Sequence, residues 1–292
     1  MTIQFVFVGN RRFVLEEMLA LGMQISKIFV VKGTHLERDL SDGVLKWLGN
    51  YEVIASKKCL IERLNSLNYD LLVSNGCPYI LPISELPKAR YVNIHPSLLP
   101  DLRGYDPVIG SVLYRRDSGA TCHVMDNGID TGDIISQVPI EYTDDLDVTT
   151  LYQLSFLAEK EALREAYKVS FEPLKKQGEV DGIIEYKRDK SDWYINFQES
   201  NERIAQKIKA FNNLSQGCRF LLGEDEYKVF GIQVMKNPFL AKVVFEKPEG
   251  EVVFSYEGCV IFHKDNEILR LTGVEPIVDG LPIVLEANLV NG

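Results

Sequence analysis

The chain predicts an α/β protein: a Rossmann-like, mostly parallel sheet followed by a smaller, mainly β, barrel-like domain. Three observations carry this. Short apolar runs at Ile3–Val8, Ile25–Val31 and Leu71–Ser74 alternate with segments of helical periodicity. Continuous apolar runs belong to strands buried on both faces, as in parallel sheets flanked by helices. After Trp193 the pattern changes to short apolar runs split by turns. The 292 residues are 46% hydrophobic, enough for one large and one small core.

In chain order, Ile3–Val8 is a strand, and Phe13–Leu21 is a helix stopped by Gly22. Between them Gly9-Asn10-Arg11-Arg12 holds a single glycine, so it is neither a dinucleotide fingerprint nor a phosphate-binding P-loop. Asn10, Arg11 and Arg12 are substrate-binding candidates, since a helix N-terminus with arginines accepts phosphate; two solvated arginines are the equal alternative. Ile25–Val31 is a strand, 32–42 a polar loop, 44–48 a short helix, 52–55 a strand, 57–67 a helix and 71–74 a strand.

Val92-Asn93-Ile94-His95-Pro96 leaves the next strand with an amide and an imidazole two residues apart, on one side of it. Val108–Tyr114 is a helix, and 120–125 and Ile134–Ile140 are strands. Apolar residues at 148, 151, 154, 158, 162 and 166 mark a long helix. Residues 171–191 read as a linker with one strand, and Asn201–Phe211 as a helix. Five strands follow, at 227–234, 241–245, 252–255, 259–263 and 268–274. The domain boundaries expected are 1–175, 176–212 for linker and helix, and 213–292.

A net charge of -10 argues against a general nucleic-acid binder. Five cysteines without a C-x-x-C pair read as free thiols in a reducing compartment, and no His/Cys spacing suggests zinc. Asp126, Asp130 and Asp133 miss the EF-hand spacing, so no metal is expected. With no signal segment or membrane-length apolar run, the expected location is cytoplasmic.

Asp130 lies in the loop Met125–Asp133 with Gly128 and Gly132. An amide, an imidazole and a carboxylate suit acyl transfer to an amine. Asn93 donates to an oxyanion, His95 accepts a proton and Asp130 orients the ring. The run Asn93-Ile94-His95-Pro96-Ser97-Leu98-Leu99-Pro100, then Arg103-Gly104, Gly119-Ala120-Thr121 and Asp130-Thr131-Gly132-Asp133, resembles the folate-dependent formyltransferases. The match is dense from about residue 69 to residue 163.

The resemblance implies a 10-formyltetrahydrofolate donor and no metal. Its pterin would lie against the backbone of Tyr79, Ile80 and Leu81 and of Asp126, Asn127, Gly128 and Ile129, with Tyr105 nearby. Arg103 joins Asn10, Arg11 and Arg12 as a substrate-binding candidate. Three acceptors compete. The glycinamide ribonucleotide enzymes carry a Gly-rich phosphate loop that is missing here. The methionyl-tRNA enzymes carry a basic insertion after the second strand. The stretch here offers Lys32 and Arg38 against Glu37, Asp39 and Asp42, and phosphate contacts supply most nucleic-acid affinity. A nucleotide-linked amino sugar, as in bacterial cell-surface glycan, O-antigen or lipopolysaccharide synthesis, is the preferred small-molecule acceptor. Methionyl-tRNA is the alternative, and a non-catalytic folate- or nucleotide-binding module the further one. Neither a nucleic-acid nor a membrane partner is expected, and the C-terminal strands leave a homodimer interface open.

Overall fold

The computed structural model describes residues 3–42, 50–178, 181–214, 216–222, 225–277 and 289. The chain divides into two compact units. One comprises Met1–Ser111, Asp117–Tyr142 and Tyr152–Tyr186; the other comprises Val112–Arg116, Thr143–Leu151 and Lys187–Gly292.

The first unit is built on a seven-stranded sheet. Its elements are β1 (Phe5–Gly9), α1 (Arg12–Ala20), β2 (Ile25–Val31), α2 (His35–Ser41), β3 (Tyr51–Ile54), α3 (Lys57–Asn65), β4 (Leu71–Asn75), β5 (Arg90–His95), α4 (Pro107–Tyr114), β6 (Ser118–Val124), β7 (Ile134–Ile140) and α5 (Val148–Lys168). The helices α4 and α5 each cross from one unit into the other. Strand order is β3-β2-β1-β4-β5-β6-β7. The first five strands run parallel, and β6 and β7 join antiparallel to their neighbours. Each face of the parallel part has its own apolar cluster. One gathers Phe7, Leu15, Met18, Val30, Val73 and Ile94; the other gathers Val6, Phe29, Ile54, Leu60 and Leu72. Alternate residues of one strand thus serve opposite cores, which is why the strands read as unbroken apolar runs.

The polar stretch 32–42 is not a loop: it holds α2. Leu36 and Leu40, one turn apart, are its buried face. Two apolar residues in seven leave too little periodicity to see in sequence. The expected helix at 44–48 lies outside the described residues. Among the described residues of 171–191 no strand forms; Lys175 and Glu185 make isolated bridges to Ile134 and Arg103.

The second unit contains α6 (Asn201–Phe211), β8 (Cys218–Leu222), β9 (Asp225–Val229), β10 (Gly231–Met235), α7 (Pro238–Val244), β11 (Phe254–Tyr256), β12 (Cys259–Lys264), β13 (Glu267–Thr272) and β14 (Glu275–Pro276). Its strands form one antiparallel sheet, β10-β13-β12-β11, and another, β14-β9-β8. Phe197 packs edge-on against Phe220 and Phe262 in its core. Two expectations change here. The run 227–234 is two strands in different sheets, broken at Phe230-Gly231. The run 241–245 belongs to a helix, not a strand. Asn237 caps it by accepting from the N–H groups of Phe239 and Leu240, each at 3.0 Å, and Pro238 occupies the first helical position. Among the described residues no helix is long and apolar enough to cross a membrane.

Candidate active site

The site forms where β5 meets β6. Asn93 and His95 leave β5 on the same side, and antiparallel pairing sets Asn93 directly opposite His123. Asp130 arrives on the loop after β6. That loop closes on itself: the Asp126 carboxylate accepts from the Gly128 N–H at 2.9 Å and from the Thr131 hydroxyl at 2.6 Å. It then runs so close to β6 that a Cβ at Gly132 would lie 1.9 Å from the Val124 carbonyl oxygen. Asp130 itself is left-handed, at φ 54°, a strained backbone that persists only where its surroundings fix it.

Four side chains converge. His95 Nδ1 is 3.3 Å from Asp130 Oδ2, and His123 Nε2 is 3.3 Å from Asp130 Oδ1. The Asn93 amide donates to Asp130 Oδ1 at 3.2 Å and lies 3.3 Å from His123 Nε2. The Gly104 N–H adds a bond to Asp130 Oδ2 at 3.1 Å. The remaining ring nitrogens meet carbonyls: His95 Nε2 lies 2.9 Å from Leu102 O, and His123 Nδ1 lies 2.8 Å from Val124 O. His95 is only 5% exposed.

These contacts set the charges. Burial would raise the Asp130 carboxyl, but His95, His123 and the Gly104 N–H together outweigh it and hold the group well below the usual carboxylate range. Burial pushes the His95 imidazole below its ordinary value, against the pull of Asp130 and the Leu102 carbonyl; His123 and Arg11 push the same way as burial. The resting site is therefore an anionic Asp130 beside a neutral His95. In that neutral ring, either tautomer leaves one nitrogen lone pair facing an oxygen. Capture of a proton completes both hydrogen bonds at once.

Two participants were not singled out from the sequence. His123 stood in a strand with nothing to mark it; only the β5–β6 register puts it opposite Asn93. Gln177, in the expected linker, donates to the Asp130 and Gly132 carbonyls at 2.9 and 2.6 Å, and its own oxygen accepts from Arg103 at 3.2 and 2.7 Å. Arg103 therefore serves to pin the Asp130 loop.

The other candidates are spread more widely. Leu81 belongs to, and Tyr79 and Met125 pack against, the same apolar cluster. Residues 126–129 are exposed, and Ile80 and Ile129, although apolar, are 46% and 45% exposed. Tyr105 is exposed as well. Arg11 and Arg12 are not presented as a phosphate cradle. Arg11 is ion-paired with the buried Glu159, and Arg12 faces Glu16 and Asp39, each at 3.7 Å. The Asn10 side chain packs over Gly76, where a Cβ would meet its oxygen at 2.3 Å. Acidic side chains thus face both arginines.

Comparison with known proteins follows the same outline. The formyl transferase family profile matches residues 50–167, and the profile of the formyl transferase C-terminal domain matches residues 187–277. A methionyl-tRNA formyltransferase of Clostridium botulinum is 27% identical over 80% of this chain and 75% of its own length. Among solved structures, the sugar 3N-formyl transferase WlaRD, determined with dTDP and 5-N-formyl-THF, superposes with a TM-score of 0.67 at 17% identity. The match covers 96% of this chain and 100% of that one. An N-formyltransferase from Helicobacter canadensis, in complex with folinic acid and dTDP-3-aminofucose, gives 0.67 at 16% identity, over 93% and 99%.

Proposed function

Because the chain belongs to the formyltransferase family, we propose that it transfers a formyl group from 10-formyltetrahydrofolate to the amine of a nucleotide-linked amino sugar. The observation that carries the chemistry is the convergence of Asn93 and His95 on the Asp130 carboxylate, at 3.2 and 3.3 Å.

His95 is the proton acceptor. As the amine attacks the formyl carbon, the ring takes the amine proton, directly or through water. The imidazolium then bonds both to Asp130 and to the Leu102 carbonyl. The Asn93 amide donates to the oxygen of the tetrahedral adduct. Its present bonds, at 3.2 and 3.3 Å, are long enough for a developing anion to displace one. His95 returns a proton to the departing folate nitrogen, and Asp130 keeps its charge throughout. The loops at 79–81 and 126–129 suit a flat pterin. Ile80 and Ile129 offer exposed apolar surface for its faces, and the backbone between offers donors and acceptors for its edge.

The acceptor reading rests on α2. A tRNA enzyme grips phosphates with a basic insertion there. Here that stretch is a short helix whose charges nearly cancel, and its Asp39 faces Arg12. The second reading, methionyl-tRNA, is favoured by curated relatives such as that of C. botulinum. The test is to incubate the protein with 10-formyltetrahydrofolate and, in separate reactions, nucleotide-linked amino sugars and methionyl-tRNA, with His95→Gln as control. Formylated sugar made by the wild type alone is expected. Formyl-methionyl-tRNA as sole product overturns the acceptor, and no product with any amine overturns catalysis in favour of a binding module.

A further inference from the structure

We infer that the arm 184–186 is a positioning element of the site: it holds the Leu102 carbonyl on His95 and so decides which ring nitrogen receives the proton. Leu102 O lies 2.9 Å from His95 Nε2, and Asp130 Oδ2 lies 3.3 Å from His95 Nδ1. A carbonyl oxygen only accepts, and Leu102 is 1% exposed, so its carbonyl depends on a donor from the protein. Asp130 is better provided. The Asn93 amide donates to Oδ1 and the Gly104 N–H to Oδ2. The neutral ring therefore keeps its hydrogen on Nε2 and its lone pair on Nδ1. As the amine N–H breaks, that lone pair forms the new Nδ1–H bond, and the electron pair of the broken bond stays on the amine nitrogen. Nδ1–H then donates to Asp130 while Nε2–H remains on Leu102.

The carbonyl is aimed by a backbone that a leucine does not adopt by itself. Leu102 has a φ of 56°, a left-handed conformation that persists only where contacts fix it. The contacts come from the arm. The Leu102 N–H donates to Ile184 O at 2.8 Å, and the Ile184 N–H donates to Asp101 Oδ1 at 2.8 Å. Ile184 thus grips both residues of the 101–102 peptide. On the far side, the Asp106 N–H donates to Tyr186 O at 3.3 Å, and Arg103 bridges Glu185. The Leu102 side chain is wedged too: a Cβ on Gly110 of α4 would meet Leu102 Cδ2 at 2.7 Å and Tyr186 Cβ at 3.1 Å. These bonds all fall on the segment that carries the acceptor of His95 Nε2–H.

The consequence for catalysis rests on the role proposed for His95; the tautomer does not. The experiment reads the imidazole nitrogen shifts of the full chain by heteronuclear NMR at alkaline pH, with His95→Gln identifying the signals. The wild-type ring should be protonated at Nε2. Asp101→Ala removes the acceptor of the Ile184 N–H without touching His95 or Asp130. It should move the ring towards the Nδ1–H form, which Asp130 favours, and lower kcat about 10-fold with KM within about two-fold. Asp101→Asn keeps an oxygen for the same bond and should match the wild type in both readouts. Gly110→Ala presses on Leu102 from α4, should shift the tautomer in the same sense, and serves where Asp101→Ala does not fold. A wild-type ring protonated at Nδ1 overturns the inference, and so does a tautomer that neither variant moves, whether or not the chain transfers formyl groups. The expected tautomer shifts in a chain without formyl transfer uphold the positioning and sink the catalytic reading alone.

Discussion

Two buried polar clusters sit in the first unit and are built on opposite plans. Around Asp130 every carboxylate oxygen has a partner: Asn93, His95, His123 or the Gly104 N–H. Around Glu159 one oxygen has Arg11 and the other has none. The first arrangement stabilises an anion, and the second penalises one, so the two carboxyls shift in opposite directions. A network that satisfies its charge fixes geometry, whereas one left partly unsatisfied costs free energy to bury.

The largest effect expected from breaking this contrast is on turnover. His95→Gln and Asp130→Asn should each lower kcat about 100-fold or more, since one removes the proposed proton acceptor and the other the charge proposed to balance it. Asn93→Ala should raise the barrier by about 3–4 kcal/mol. Initial rates of tetrahydrofolate release measure both, and folate binding by calorimetry should stay within a few-fold. Rates near wild type in any of the three would remove that residue from the site.

Gly132→Ala comes next. Its Cβ would collide with the Val124 carbonyl, and overpacking of this kind costs about 1–3 kcal/mol. Denaturant unfolding should show that loss, together with reduced kcat as Asp130 moves. An unchanged midpoint would mean that the loop has more freedom than its contacts indicate.

A third expectation concerns acid, where the two carboxyls part company. Glu159 has a folded value raised to about 7 from an ordinary 4.5. Its contribution to stability is fully present below 4.5 and is lost as pH rises through 7. Asp130 is depressed below its ordinary 3.8, so its contribution is present above 3.8 and is lost as pH falls through its folded value. Unfolding free energies of Glu159→Gln and Asp130→Asn, each set against wild type from pH 8 to pH 3, should reveal differences that vary with opposite slopes in separate windows. Parallel slopes would abolish the contrast.

The smallest effect falls on Gln177→Leu, which unties the Asp130 loop from Arg103 without touching the carboxylate. A several-fold fall in kcat with little change in folding stability is expected from a positioning contact. A loss as large as that of Asp130→Asn would make Gln177 part of the chemistry.

How much of this was legible beforehand differs from element to element. The strands β2 and β7 and the helix α6 match the expected spans residue for residue, because β2 and β7 are short, mostly apolar stretches set between polar segments and α6 repeats Ile204, Ile208 and Phe211 on one face. The helices α2 and α7 were misread. They are seven residues long, and so short a run shows no period; the Asn237-Pro238 start of α7 was the signal available. The split of 227–234 between two sheets was equally invisible, since β9 and β10 share one hydrophobic pattern and differ only in their partners.

What the amino-acid sequence determined alone is whatever depends on near neighbours: the alternation of strands and helices, Asn93 and His95 on one side of β5, and the ordered signature running on to Asp130. Tertiary structure alone decided what depends on pairing across the chain. It set His123 opposite Asn93, hung the Asp130 loop from Gln177, and turned Arg11 from a phosphate candidate into the partner of Glu159, 148 residues away. The physical reason is that side-chain direction follows from local backbone geometry, whereas the charge a buried group carries is set by neighbours that only the folded sheet brings within reach.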